Sequence, residues 1–142
     1  MSGITVGVDA SEHSDRALEW AIQEGAARQQ PVTVIAVHEV ATNQWTGNPL
    51  VKEGDRAEED TIRRDVEERA AKIAGRLGDA IPPELTVEVV SGVASRVLID
   101  ASERSDLIVV GSRGGGGFSR MLLGSVSGHV VQHAACTVTV VR

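Results

Sequence analysis

Alternating β-rich runs and amphipathic helical stretches predict an α/β fold. The expected form is one doubly wound domain over residues 1–142, a five-stranded parallel sheet in the order 3-2-1-4-5 with helices on both faces. Three observations carry that expectation. Strand-like and helix-like segments take turns along the chain, as right-handed crossovers between parallel strands require. Leu107-Ile108-Val109-Val110 is an unbroken apolar run, the pattern of a strand covered on both sheet faces. The sharp polar strand ends are Asp9 after the first strand and a glycine-rich stretch after the fourth. In open sheets a ligand sits beyond the carboxyl ends of the strands, where strand order reverses. If both ends serve one ligand, strands one and four are neighbours, which leaves strands three and five at the edges.

Taken in order, Ile4 to Val8 is a short β-rich strand ending at Asp9. Ser11 or Ser14 can cap a helix whose inner stripe is Ala17, Leu18, Ala21, Ile22 and Gly25, with Arg16, Glu19 and Gln23 outside. Pro31 restarts the chain, and Val32 to Val40 is the second strand. From Ala41 to Gly54 no period is visible, and Asn43, Gly47, Asn48 and Pro49 mark a loop. A long helix follows, from about Asp55 to Gly78, burying Ile62, Val66, Ala70, Ile73 and Leu77. Its charged face can pair Glu59 with Arg63, Asp60 with Arg64 and Asp65 with Arg69, and reads as solvated. Pro82-Pro83 break the helix, and Leu85 to Val90 alternates Thr86 and Glu88 with apolar neighbours as an edge strand does. Gly92 turns into a short helix with Val97, Leu98 and Ala101 inward. Leu107 to Val110 is strand four, Ser125 to Ala134 the last helix, and Thr137 to Val141 strand five.

Composition narrows the classes. A chain of 142 residues buries a core without disulfides or structural metal. Its 42% hydrophobic and 24% charged residues are ordinary globular proportions, and no stretch has the length of a membrane span. The opening MSGITVGVDAS lacks the basic start and apolar core of a leader, so a cytoplasmic protein is expected. A single cysteine, Cys136, excludes an internal disulfide and fits a reducing compartment. Twenty acidic against fourteen basic residues give a formal charge of −6, which argues against a duplex nucleic-acid partner. A nucleotide is compatible with that charge, since a few local donors can hold phosphate.

The stretch with chemistry in it is LIVVGSRGGGGFSRMLLGSV, Leu107 to Val126. Seven of the fifteen glycines fall between residues 111 and 128, a local demand for unhindered backbone. Successive exposed N–H groups, followed by a helix N-terminus carrying roughly +0.5 charge, make a cradle for phosphate. The competing reading is a flexible loop or a helix cap. The stretch has no Walker A pattern and holds no lysine between residues 111 and 128. Nor is it a dinucleotide fingerprint, which follows the first strand; here that strand runs GVDAS without the glycines.

The spacing Gly111, two residues, Gly114, nine residues, Gly124-Ser125 resembles the signature of the ATP-binding branch of the universal stress protein family. VGVDASEHSDRALEWA is similar to that family's first strand and helix, SDLIVVGSRG to its fourth strand, and LLGSVSGHVVQHAACTVTVVR to its last helix and strand. The likeness is weakest from Ala41 to Pro83. Departures are Ala10 and Glu12 where glycine and proline are common, Val93-Ala94 in place of a proline-containing turn, and Ala135 and Thr137 beside Cys136. They bear on loop shape and remove no phosphate donor. The family's fold is Rossmann-like, of the adenine nucleotide alpha hydrolase type.

The resemblance implies roles for named positions. Gly111 and Gly114 match residues whose backbone lies along the ribose and first phosphates. Gly124, Ser125 and Val126 then offer helix N-terminal amides, with the Ser125 hydroxyl, to the outer phosphates; Ser125 is equally an N-cap of its own helix. Asp9, with Ala10 beside it, lies against the nucleoside or near a bound metal, or else Asp9 caps the first helix. Val37 matches a strand-two residue whose backbone meets adenine, and is otherwise core. Arg113, and behind it Arg120, are nearby cations that can offset triphosphate charge. His129 and His133 stand four apart but lack a third metal ligand, and His38 is a lesser candidate beside Val37. Cys136 reads as a small buried residue. The cofactor implied is ATP, with Mg2+ held mainly through the phosphates.

Three functions follow from the resemblance: a nucleotide-dependent regulatory or stress-tolerance module, a slow ATPase, or a dimeric scaffold that turns over no nucleotide, with AMP or cyclic AMP as other possible ligands. No assembled set of base and cations for fast hydrolysis is visible, so at most weak turnover is expected. The apolar edge strand TVTVV implies a homodimer, since such edges are normally covered.

Overall fold

The computed structural model describes residues 3–9, 12–39, 44–46, 55–112 and 124–142. Their elements are β1 (Ile4–Val8), α1 (Glu12–Arg28), β2 (Val32–Glu39), α2 (Asp55–Leu77), β3 (Leu85–Gly92), α3 (Ala94–Ser102), β4 (Leu107–Gly111), α4 (Ser125–His133) and β5 (Thr137–Val141). The strands form one sheet in the order β3-β2-β1-β4-β5, and every pairing is parallel. This is the predicted order.

Alternation along the strands sends side chains to two cores. Ile4, Val6 and Val8 of β1, with Val32, Val34 and Ala36 of β2, pack against Leu18 and Ile22 of α1 and Val66 and Ile73 of α2. On the other face Ile35 joins Leu98 and Ala101 of α3 and Val130 of α4. β4 serves both: Leu107 and Val109 belong to the first core, Ile108 and Val110 to the second. That double duty is why its sequence is apolar without interruption.

The helices differ in reach. α1 and α2 run 17 and 23 residues, while α3 and α4 have nine each. α3 comes close to β1 because Gly7 has no side chain; a Cβ there would stand 2.6 Å from Leu98 Cδ1.

Several boundaries move, each for a reason. β3 continues past Val90 because its pairing with β2 continues through His38↔Ser91 and Glu39↔Gly92. Gly92, at φ +152°, then makes the turn a side chain would resist. Gly111 belongs to β4, paired with Val141. Ser14 lies inside α1, not at its cap, and its hydroxyl donates to the Asp9 carbonyl at 2.9 Å. Ser11, Val40 and most of the 41–54 segment lie outside the described residues. Among the described residues no helix is long and apolar enough to cross a membrane.

Candidate functional site

The last turn of the sheet is where its parts stop together. Ser112, directly after β4, donates its N–H to the Val141 carbonyl at 2.8 Å, and its own carbonyl accepts the Gly124 N–H at 2.7 Å. The buried Ser127 hydroxyl reaches the Gly124 carbonyl at 3.2 Å and the Ser112 carbonyl at 3.4 Å. Both ends of the intervening glycine-rich segment are thereby tied to one point, and α4 starts beside the end of β4.

α4 has no side-chain cap. Its N-cap residue is Gly124, extended at φ −70° and ψ 173°, so Ser125 is the first helical residue and not the cap that its type suggests. The Gly124 N–H is spent on Ser112, whereas the amides of Ser125, Val126 and Ser127 have no intrahelical acceptor. First-turn donors of this kind, with a helix dipole behind them, have the chemistry that suits an anion.

They line a cleft of about 1020 Å³ across the carboxyl ends of the strands. Six described candidates border it: Asp9, Val37, Gly111, Gly124, Ser125 and Val126. The crossing from β1 to β4 at the centre of the sheet brings them together, since Ile4 pairs with Leu107 and Val6 with Val109. Asp9 is exposed at the end of β1. Val37 packs partly into the α3/α4 core and stands beyond Val8↔Ala36, the last pairing of β1 with β2. From Val37 onward the β1-facing edge of β2 has no strand beside it among the described residues, and Val37, His38 and Glu39 border the cleft. Ala10, Arg113, Gly114 and Arg120 lie outside the described residues.

The wall opposite α4 is supplied by α2, and here the sequence reading needs correction. Arg69 forms the expected ion pair with Asp65, at 3.8 Å, but it is not on a solvated face; its side chain is 18% exposed and also bonded to Asp15, Ser14 and the Asp9 carbonyl. Its position gives the signal: three after Val66 and four before Ile73, it flanks the buried stripe. Arg63 pairs with Asp60 at 3.3 Å, and Glu59 accepts the Ser91 hydroxyl at 2.5 Å instead of pairing with Arg63. His38 also borders the cleft, with Nε2 at 2.8 Å from Glu58 Oε2. A carboxylate only accepts, so Nε2 is the donor in this bond; Nδ1 is buried and has no hydrogen-bond partner among the described residues.

His129 Nδ1 donates to the Ser125 carbonyl at 2.8 Å, and no group of three metal-ligating side chains occurs among the described residues. Burial raises the Cys136 thiol above its ordinary pKa, with Asp106 adding to the shift and a backbone hydrogen bond at Ile108 opposing it. Such a thiol is a packed residue more than a nucleophile.

The family model described as the universal stress protein family matches residues 1–142. A universal stress protein of Mycolicibacterium smegmatis is 34% identical over 140 residues, covering 99% of this chain and 48% of the relative. One from Mycobacterium tuberculosis is 31% identical, with the same coverage. The chain thus spans about half the length of the curated relatives it matches. Among solved structures, the universal stress protein UspA of Lactobacillus plantarum superposes with a TM-score of 0.80 at 25% identity, covering 99% of this chain and 97% of that one. A universal stress protein in complex with cAMP gives 0.70 at 24% identity, with 99% and 96% covered. One from Archaeoglobus fulgidus in complex with dAMP gives 0.67 at 22%, with 100% and 98% covered.

Proposed function

The chain belongs to the universal stress protein family, and on that premise we propose that it binds ATP with Mg2+ in the cleft and acts as a nucleotide-dependent regulatory module. One observation carries the reading: the start of α4, without a side-chain cap and tied through Gly124 to the end of β4, lines the same cleft that Asp9 borders. The neighbours with cAMP and dAMP support an adenine nucleotide as the ligand class.

In this reading the main chain at Val37 meets the base and Asp9, with Ala10, faces the nucleoside. Gly111 and Gly114 lie along the ribose and first phosphates. The amides of Ser125 and Val126 hold the outer phosphates, with Arg113 offsetting charge. A magnesium ion is carried by the phosphates in this reading, because that ion keeps its waters and needs few protein ligands. When bound, the ion neutralises phosphate charge. The 142 residues act as one nucleotide-binding domain, and β5, paired on one side by β4, covers its other edge against a second copy.

Calorimetry with ATP, ADP, AMP and cyclic AMP in the presence of magnesium tests the reading. ATP binding without steady phosphate release is the expected result. Release that disappears in Asp9→Ala makes the protein a slow ATPase instead. No heat with any of the four leaves the dimeric scaffold.

A further inference from the structure

We infer that Arg69 is the positioning residue of the nucleoside end of the cleft: its guanidinium holds the main chain at Asp9 and so sets where that carboxylate meets the ligand. The inference rests on the nucleotide-binding reading above. Arg69 Nη1 donates to the Asp9 carbonyl at 2.7 Å, and the Ser14 hydroxyl donates to the same oxygen at 2.9 Å. Arg69 Nη2 in turn donates to Ser14 Oγ at 2.7 Å. Nε and Nη2 both reach Asp15 Oδ1, at 2.7 and 2.6 Å. Three elements meet in this brace: α2 gives the cation, α1 the carboxylate and hydroxyl, and the end of β1 the carbonyl. Two donors therefore fix the last carbonyl before the β1–α1 turn.

A direct phosphate contact is the alternative role for an arginine in this cleft. The geometry points away from it. Asp15 already neutralises the guanidinium, and Asp65 stands 3.8 Å from Nη1. A planar fork committed to three acceptors suits bracing more than capturing a mobile anion. Lysine cannot replace it, because one ammonium does not span the same three partners.

The test titrates Arg69→Lys and Arg69→Met with magnesium ATP and with magnesium tripolyphosphate, beside Asp9→Ala and the double variant. ATP affinity is expected to fall about tenfold in both single variants, or about 1.4 kcal/mol. Tripolyphosphate, held at the α4 end, is expected to stay within about twofold, and Arg69→Met in the Asp9→Ala background is expected to cost under about twofold because the positioned group is gone. Asp15→Asn, which loosens the brace without emptying its site, is expected to weaken ATP alone. Equal losses for both ligands, full additivity with Asp9→Ala, or unchanged ATP affinity would overturn the inference while leaving the nucleotide reading in place. Failure of the unaltered chain to bind ATP overturns the nucleotide reading, and this inference with it.

Discussion

Gly7 leaves no room for a methyl group. A Cβ at this position would approach Leu98 Cδ1 to 2.6 Å and Cδ2 to 3.0 Å, and Leu98 is itself buried among Ile35, Ile108 and Val110. Leu98 has little freedom to step aside, so Gly7→Ala pushes α3 off β1. The expected cost is about 1–3 kcal/mol, the range for overpacking a filled core, and urea unfolding measures it. Gly7 looks like any other glycine in the string GVDAS, and the neighbour that makes it obligatory arrives 91 positions later. Arg69 is the same lesson with a charge. Its sequence neighbours offer Asp65, yet the shorter contact is to Asp15, 54 residues back.

At the scale of elements, the start of α4 is set by Ser112 and Ser127. Ser127 is buried, and its hydroxyl reaches back to the carbonyls of Gly124 and Ser112. Ser127→Ala removes that bond and leaves the carbonyls to the Gly128 and Gly124 amides alone. A loss of about 1 kcal/mol in stability is expected, typical of one intramolecular hydrogen bond. ATP affinity is expected to drop with it, because the first-turn amides lose their fixed direction. Denaturant unfolding and calorimetry on one preparation read both. α2 shows the complementary arrangement. Glu58 meets His38 of β2, Glu59 meets Ser91 of β3 and Arg69 meets the end of β1, so one helix fastens three strands at the rim of the cleft.

For the molecule as a whole, a ligand that binds only the folded chain must raise its melting temperature. At a hundredfold excess over the dissociation constant the gain is about 2.7 kcal/mol, or roughly 5–10 °C for a chain of this size. A thermal melt with and without magnesium ATP is expected to show that shift, and Asp9→Ala is expected to reduce it. The sheet has two edges, β3 and β5, and each is paired on one side within the chain. Light scattering of the purified protein is expected to give the mass of two chains, with β5 as the shared edge. A mass of one chain would leave that edge uncovered and remove the dimer from the account.

The sequence by itself determined the element order, the parallel sheet and its strand order, and the glycine stretch, because these depend on local periodicity, on steric punctuation by glycine and proline, and on the rule that a crevice opens where strand order reverses. It therefore also indicated Asp9, Gly111 and the start of α4 as neighbours, while Val37 was implied by the family resemblance alone. Tertiary structure alone decided that the cap of α4 is Gly124, with no side-chain bond, that the Gly124 amide is spent on Ser112, and that Arg69 bonds to the end of β1. Each of those outcomes is a choice among hydrogen-bond partners distant in sequence, and such a choice is settled only when packing brings the competing donors and acceptors within reach.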